Sequence, residues 1–361
     1  MRGGALLLAL ALALALLACT GDAFRWSLTS PRQTLWQRKC AVQEAQAAPA
    51  DLLVESLEAL ARASPACPWS ALPKPLRDSL QRDLALLLPA LSAHQAAQTV
   101  WSLGKLRLSA QHLPPSTASR LYDTLAAASF ERRVVAKLVY GLASMRVGWD
   151  DLPPGAQLNI LSHIESSSAA MNEMEVVNTV YSMGKMALRW NRLEPALQRA
   201  LCTACARVAP HMQQVGASNL FWGLGKMEAS WERDLPGRCR AALAARLSQL
   251  APLGPQCYSN VVGGLANMKA TFRALSPDLR RLLVNGLDAA LGAPSLPASA
   301  SAGRVVLPSE QTVATAVWAL GCLGVDYRSD LSPGAQAVLS RALSLTCPAF
   351  TSQGLSNAVY G

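Results

Sequence analysis

Residues 178–186 read NTVYSMGKM, and residues 219–227 read NLFWGLGKM. The two stretches share a pattern rather than a sequence: an amide, an aromatic three residues on, then small and apolar residues and a Lys-Met end. Taking the aromatic Tyr181 as an anchor, equivalent anchors are Trp101, Tyr140, Trp222, Gly263, Trp318 and Tyr360. Successive anchors lie 39, 41, 41, 41, 55 and 42 residues apart. The long interval holds the Ser/Pro/Ala-rich stretch SLPASASAGRVVLP, residues 295–308, which has the composition of a loop. A fainter copy, SLEALARA (Ser56–Ala63), lies about one period upstream. A fixed period of this length is the signature of a repeat architecture.

Each copy has a second half. An aromatic sits nine residues past the anchor at Trp149, Trp190, Trp231, Phe272 and Tyr327, and a proline follows at Pro115, Pro154, Pro195, Pro236, Pro277 or Pro333. After each proline comes another apolar-periodic stretch, such as EPALQRALCTACARVAP. Proline suits the first turn of a helix, where no N–H is needed. The unit is therefore an A helix, a turn closed by an aromatic and Pro, and a B helix. One such hairpin cannot bury both of its apolar faces, so neighbours must stack. The expected fold is all-α: an α-solenoid of stacked helix-turn-helix repeats of about 41 residues, over 52–292 and again over 309–361, interrupted by a loop at 293–308.

Projected at 100° per residue, positions −5, −1, +2 and +5 from the anchor share one side of the A helix. They are Val176, Val180, Met183 and Met186 in one copy and Ala217, Phe221, Leu224 and Met227 in the next, a core stripe. Position +3 is always small (Gly104, Ala143, Gly184, Gly225, Ala266, Gly321), which lets two helix backbones approach. The opposite side is polar. Positions −3, +1 and +4 read Gln98-Ser102-Lys105, Lys137-Gly141-Ser144, Asn178-Ser182-Lys185, Asn219-Gly223-Lys226 and Asn260-Gly264-Asn267, then Thr315-Ala319-Cys322 and Asn357. Amides pair with base edges, ammonium groups with phosphates, and a small residue between them leaves room for a planar ligand. A repeated polar stripe is also the ordinary solvated face of a repeat protein. The anchor aromatics lie at the edge between the stripes and are read as core in preference to stacking platforms.

The chain has 361 residues, a formal charge of +10 and 16% charged residues, a basic excess that points to a polyanion or an anionic surface. At the start, Arg2 precedes the apolar run Ala5–Ala18, short for a membrane span but right for a signal-peptide core, with a cleavage point between Ala23 and Phe24. Residues 24–42 carry Arg25, Arg32, Arg38 and Lys39 and no acid. Residues 1–42 thus resemble the bipartite leader of proteins sent to plastids of secondary origin; plain secretion is the alternative. Of nine cysteines, Cys19 and Cys40 fall in this leader. Cys202, Cys205, Cys239 and Cys322 sit in apolar helical context and read as reduced, buried thiols. Cys202-x-x-Cys205 lacks a second pair, so zinc is not expected. His94, His112, His163 and His211 share no spacing, and Asp150-Asp151 is a pre-helix acidic pair, so no catalytic constellation, metal or cofactor is expected.

The Asn-x-x-aromatic-x-Leu-x-x-Met pattern of Asn219–Met227, with Asn178/Tyr181 and Asn357/Tyr360, resembles the A helix of the octotricopeptide-repeat proteins of algal organelles. The resemblance spans roughly 52–361, with a period nearer forty-one than the family's thirty-eight and Gly263 in place of an anchor aromatic. It implies a concave face that binds single-stranded organellar RNA in transcript processing, stability, splicing or translation, alongside other RNA-processing proteins and away from membranes. The residues carried by the pattern are Gln98, Ser102, Lys105, Lys137, Ser144, Asn178, Ser182, Lys185, Asn219, Lys226, Asn260, Asn267 and Thr315. A protein-binding scaffold without RNA contact is the competing expectation. Because the last letters, SNAVYG, fall inside an A helix, a continuation of the repeats is expected beyond them.

Overall fold

The computed structural model describes residues 49–63, 68–292 and 309–360. The expected leader (1–42) and the whole of the expected loop at 293–308 lie outside the described residues. The chain forms two compact units, one running to Ser166 and one from Ser167. Among the described residues there are fifteen α-helices and no strand.

The first unit holds α1 (Pro49–Arg62), α2 (Lys74–Leu87), α3 (Ala93–Lys105), α4 (Pro115–Ala127), α5 (Arg132–Ser144) and α6 (Pro154–Ser168). Its A helices pack in the order α1 on α3 on α5, and α2 packs on α4 in the B layer. The second unit holds α7 (Glu173–Lys185), α8 (Pro195–Val208), α9 (Gln214–Lys226), α10 (Gly237–Gln249), α11 (Pro255–Asn267), α12 (Pro277–Leu291), α13 (Glu310–Cys322), α14 (Pro333–Thr346) and α15 (Ser352–Tyr360). Here α7, α9, α11, α13 and α15 pack each on the next, and α8, α10, α12 and α14 do the same in a second layer. This is a stacked helical-repeat, solenoid-like arrangement, and α1 confirms the faint upstream copy as an A helix.

Local chemistry sets each element. Ser92 caps α3 by a reciprocal pair with Gln95, 3.3 Å and 2.9 Å, and Asn172 caps α7 with Glu175, 3.0 Å and 2.8 Å. Proline opens α4, α6, α8, α12 and α14. Six A helices, α3, α5, α7, α9, α11 and α13, end in a Schellman turn. In α7 the Ala187 N–H donates to Gly184 O at 3.1 Å and the Leu188 N–H to Met183 O at 3.0 Å. The residue at the turn is left-handed in six copies: Arg107, Arg146, Ala187, Glu228, Lys269 and Gly324.

The turn aromatics are buried at Trp149, Trp190, Trp231 and Phe272, and the last three hold neighbouring repeats in register through their backbone N–H groups. The Trp190 N–H donates to Met227 O (2.8 Å), Trp231 to Met268 O (3.0 Å) and Phe272 to Leu323 O (2.8 Å). In the first unit Trp69 and Ala110 do the same to Leu106 and Met145. Gln157, Gln198 and Gln336 brace the same turns, each donating its side-chain amide to carbonyls there; Gln198 reaches Trp190 O and Leu193 O. Tyr327 departs from the series. It is exposed, because its hydroxyl engages Gln336 O and Ser340 Oγ at the surface of α14.

The expected core stripe is buried throughout: Val176, Val180, Met183, Met186, Ala217, Phe221, Leu224 and Met227. The small +3 residues allow backbone contact between neighbouring A helices. A Cβ built on Gly184 would stand 2.6 Å from Gly223 O, one on Gly225 2.7 Å from Gly264 O, and one on Gly104 2.7 Å from Gly141 O. Cys202, Cys205 and Cys239 are free and buried on α8 and α10, where burial pushes the Cys205 thiol up and keeps it protonated. Cys322 corrects the expectation of a buried thiol: it is exposed, at position +4 of its repeat.

Candidate functional site

Within each unit the A helices cover one another along their flanks and the B helices cover their core side, which leaves one face. The side chains that stay accessible come from positions −7, −3, 0 and +4, one above the other along the helix. In the first unit these rows hold His94 and Arg133, Lys137, Trp101 and Tyr140, then Lys105 and Ser144. In the second they hold Met174, Val215, Gln256, Gln311 and Gln353, then Asn178, Asn219, Asn260, Thr315 and Asn357, then the anchors, then Lys185, Lys226, Asn267 and Cys322.

This differs from the expected face in two ways. Position +1 does not belong to it. Ser102 and Ser182 are 0% exposed, and Gly141, Gly223 and Gly264 are buried with them. The room expected for a planar ligand is filled by the backbone of the preceding A helix, whose +3 residue rests against position +1. Gln98 is also buried, and its Oε1 accepts from Lys137 Nζ at 2.5 Å. Gln98, Ser102 and Ser182 therefore cannot meet an outside ligand.

The second difference is the anchor aromatics. Trp101, Tyr140, Tyr181, Trp222 and Trp318 are half-buried rather than core, and Tyr360 is exposed. They interleave with lysines. Lys105 Nζ lies 5.8 Å from the Trp101 ring centre and 5.6 Å from that of Tyr140, and Lys137 Nζ lies 5.3 Å from Trp101. In the second unit the Tyr181 and Trp222 rings sit 4.8 Å apart at 33°, with Lys226 Nζ 5.6 Å from Trp222. Both distances are those of favourable cation–π and offset aromatic contacts.

The remaining expected residues fall on this face. Lys105, Lys185 and Lys226 are exposed; Lys137, Ser144, Asn178, Asn219, Asn260, Asn267 and Thr315 are half-buried. Part of the amide row is committed internally: Asn260 donates to Asn219 Oδ1 at 3.4 Å and accepts from Gln256 at 2.9 Å. Among the described residues no group of three or more His, Cys, Asp or Glu side chains could hold a metal ion, and no helix is long and apolar enough to cross a membrane. His163 is occupied structurally, its Nδ1 on Asn159 O at 2.8 Å and its Nε2 accepting from the Phe130 N–H at 3.1 Å.

Compared with known proteins, the chain matches no family model and no curated protein. The chain is an all-helical repeat scaffold; its likeness to octotricopeptide repeats rests on the motif residues alone.

Proposed function

We propose that the exposed face of the A helices binds single-stranded RNA. The observation that carries this reading is that half-buried aromatics interleave with lysines in each unit, with Lys105 and Lys137 in the first and Lys226 in the second. Rings offer π-faces to unstacked bases and lysines neutralise the phosphates between them. The formal charge of +10 supports the same class of partner. We read the face as a binder and not a catalyst. The leader at 1–42 supports delivery to a plastid, where the RNA would be an organellar transcript; a fluorescent protein fused to those residues and excluded from plastids would refute that part.

A helical-repeat scaffold serves a protein partner as readily, and one observation favours that second reading. Met174 and Val215 are 64% and 62% exposed beside the Tyr181–Trp222 pair, an apolar edge suited to a protein surface. Titration with labelled single-stranded RNA at increasing salt separates the two. RNA binding through several lysines loses affinity steeply with salt, and Lys105→Ala with Lys226→Ala flattens that slope. Absence of RNA binding at low salt, or binding indifferent to both salt and these lysines, refutes the RNA reading.

A further inference from the structure

We infer that α1 ends the RNA track of the first unit: a bound strand makes its outermost contacts on α3 and is turned away from α1. This rests on the RNA reading above and gives that face a boundary.

By its packing α1 is a full member of the A layer. Its buried residues Leu53, Val54, Leu57, Leu60 and Ala61 match Ala96, Ala97, Val100, Leu103 and Gly104 of α3, each 43 positions on. Positions −7, −3, 0 and +4 of α1 are therefore Asp51, Glu55, Glu58 and Arg62. Glu55 and Arg62 are exposed, and Asp51 and Glu58 are half-buried. Matching positions of neighbouring A helices stand side by side. The −3 residues of α3 and α5 meet in the Gln98–Lys137 bond, and Asp51 accepts from Gln95 Nε2, one residue past the −7 position of α3, at 2.6 Å. The row that α1 sets beside α3 is thus acidic.

Each property that suits α3 and α5 to RNA is reversed on α1. Glu58 takes the place of the anchor ring, so α1 offers no π-face to continue the pair Tyr140 and Trp101. Arg62 stands where α3 has Lys105, but it is paired with Glu58 one turn back, whereas Lys105 Nζ lies 5.8 Å from the Trp101 ring centre and 5.6 Å from that of Tyr140. Asp51 and Glu55 occupy the rows in which the neighbours carry His94, Arg133 and Lys137. Neither α3 nor α5 contains an acidic residue. A phosphate brought beside α1 would meet three carboxylates and one guanidinium already engaged. Such charges act over a Debye length of about 8 Å at physiological salt, so the repulsion is confined to α1 and its immediate surroundings.

The test uses the full chain and a labelled single-stranded RNA selected from a random pool, trimmed from either end to the shortest form that keeps full affinity and then extended again. Glu55→Lys puts a cation into the α1 row. One more phosphate contact on a single strand steepens the slope of log affinity against log salt by about 0.7, so a fourfold drop in salt should widen the variant's advantage by about 2.5-fold. This gain should appear only with RNA extended at one of its two ends, and the trimmed RNA should bind both proteins alike. Glu58→Gln, which releases Arg62, should act in the same direction. Asp78→Lys makes the same change in net charge on the exposed side of α2 and should give no gain. Ultraviolet crosslinking mapped by mass spectrometry needs no variant: crosslinks in the first unit should fall on α3 and α5 and not on Pro49–Arg62. Crosslinks on α1, no gain from Glu55→Lys on either extended RNA, or an equal gain from Asp78→Lys overturns the boundary; if Lys105→Ala still weakens binding, the face stands. Binding indifferent to salt and to Lys105→Ala overturns the face and the boundary with it.

Discussion

Neighbouring A helices of the second unit meet backbone to backbone, and Gly184→Ala tests that contact. Alanine is favoured over glycine in a helix interior by about 1 kcal/mol, so propensity alone calls for a more stable protein. The added Cβ would stand 2.6 Å from Gly223 O and 3.0 Å from Lys226 Cβ, against 3.4 Å or more in an ordinary contact. The carbonyl belongs to α9 and cannot rotate away, so α7 and α9 must part by most of an ångström. Overpacking of this kind costs about 1–3 kcal/mol, and more when the obstacle is backbone. The net expectation is a loss of ~1–2 kcal/mol, or about 3–6 °C in melting temperature for a cooperative unit of this size. Gly237→Ala is the control, because nothing lies within 4 Å of its Cβ at the start of α10. It should be neutral or stabilising. Urea and thermal unfolding of the two variants read the difference, and near-ultraviolet circular dichroism follows the Tyr181–Trp222 pair, which the same displacement should separate. A Gly184→Ala protein as stable as Gly237→Ala would refute the backbone-contact argument.

Two further outcomes are expected. Ala187 holds φ 62°, and left-handed backbone costs an L-residue about 1–2 kcal/mol, partly offset by glycine's greater unfolded entropy. Ala187→Gly should therefore gain ~0.5–1 kcal/mol, seen as a higher urea midpoint at unchanged slope, while Gly324→Ala, at φ 72°, should lose a similar amount. Tyr258 is fully buried, its hydroxyl donating to Leu283 O at 2.7 Å, and burial pushes its phenol well above the ordinary 10.0. The unfolded chain then ionises this group near pH 10 while the folded chain keeps its proton. Its contribution to stability is complete below that pH and falls as pH rises, by up to about 1.4 kcal/mol per pH unit. The stability difference between wild type and Tyr258→Phe, followed by urea unfolding across that range, should shrink accordingly; a difference that stays constant refutes the linkage.

Much of the scaffold was legible in the sequence, because its causes are local and repeated. The period, the proline before each B helix, the stripe Val176, Val180, Met183, Met186 and the small residue at +3 each follow from helix geometry and from which residues tolerate water, and each recurs often enough to be read above chance. The exposed face was legible only in part. On a wheel, −3 and +4 fall at about 60° and 40°, so the anchor at 0° and position +1 at about 100° flank their mean almost equally. Position −7, at about 20°, breaks the tie toward the anchor, and His94, Arg133 and Gln256 there were the available signal.

What the sequence could not supply is which flank a neighbouring helix occupies. That depends on the direction in which repeats stack, a relation between residues some forty positions apart that no single helix encodes. Stacking pressed Gly223 and Gly264 against the preceding backbone and buried Ser102 and Ser182, and it left Trp101, Tyr181 and Trp222 half-exposed among the lysines. Burial of Gln98 and exposure of Cys322 have the same origin. The chain thus determined by itself that helices would form and which stripe they would bury; tertiary packing alone decided which of the remaining residues face a partner.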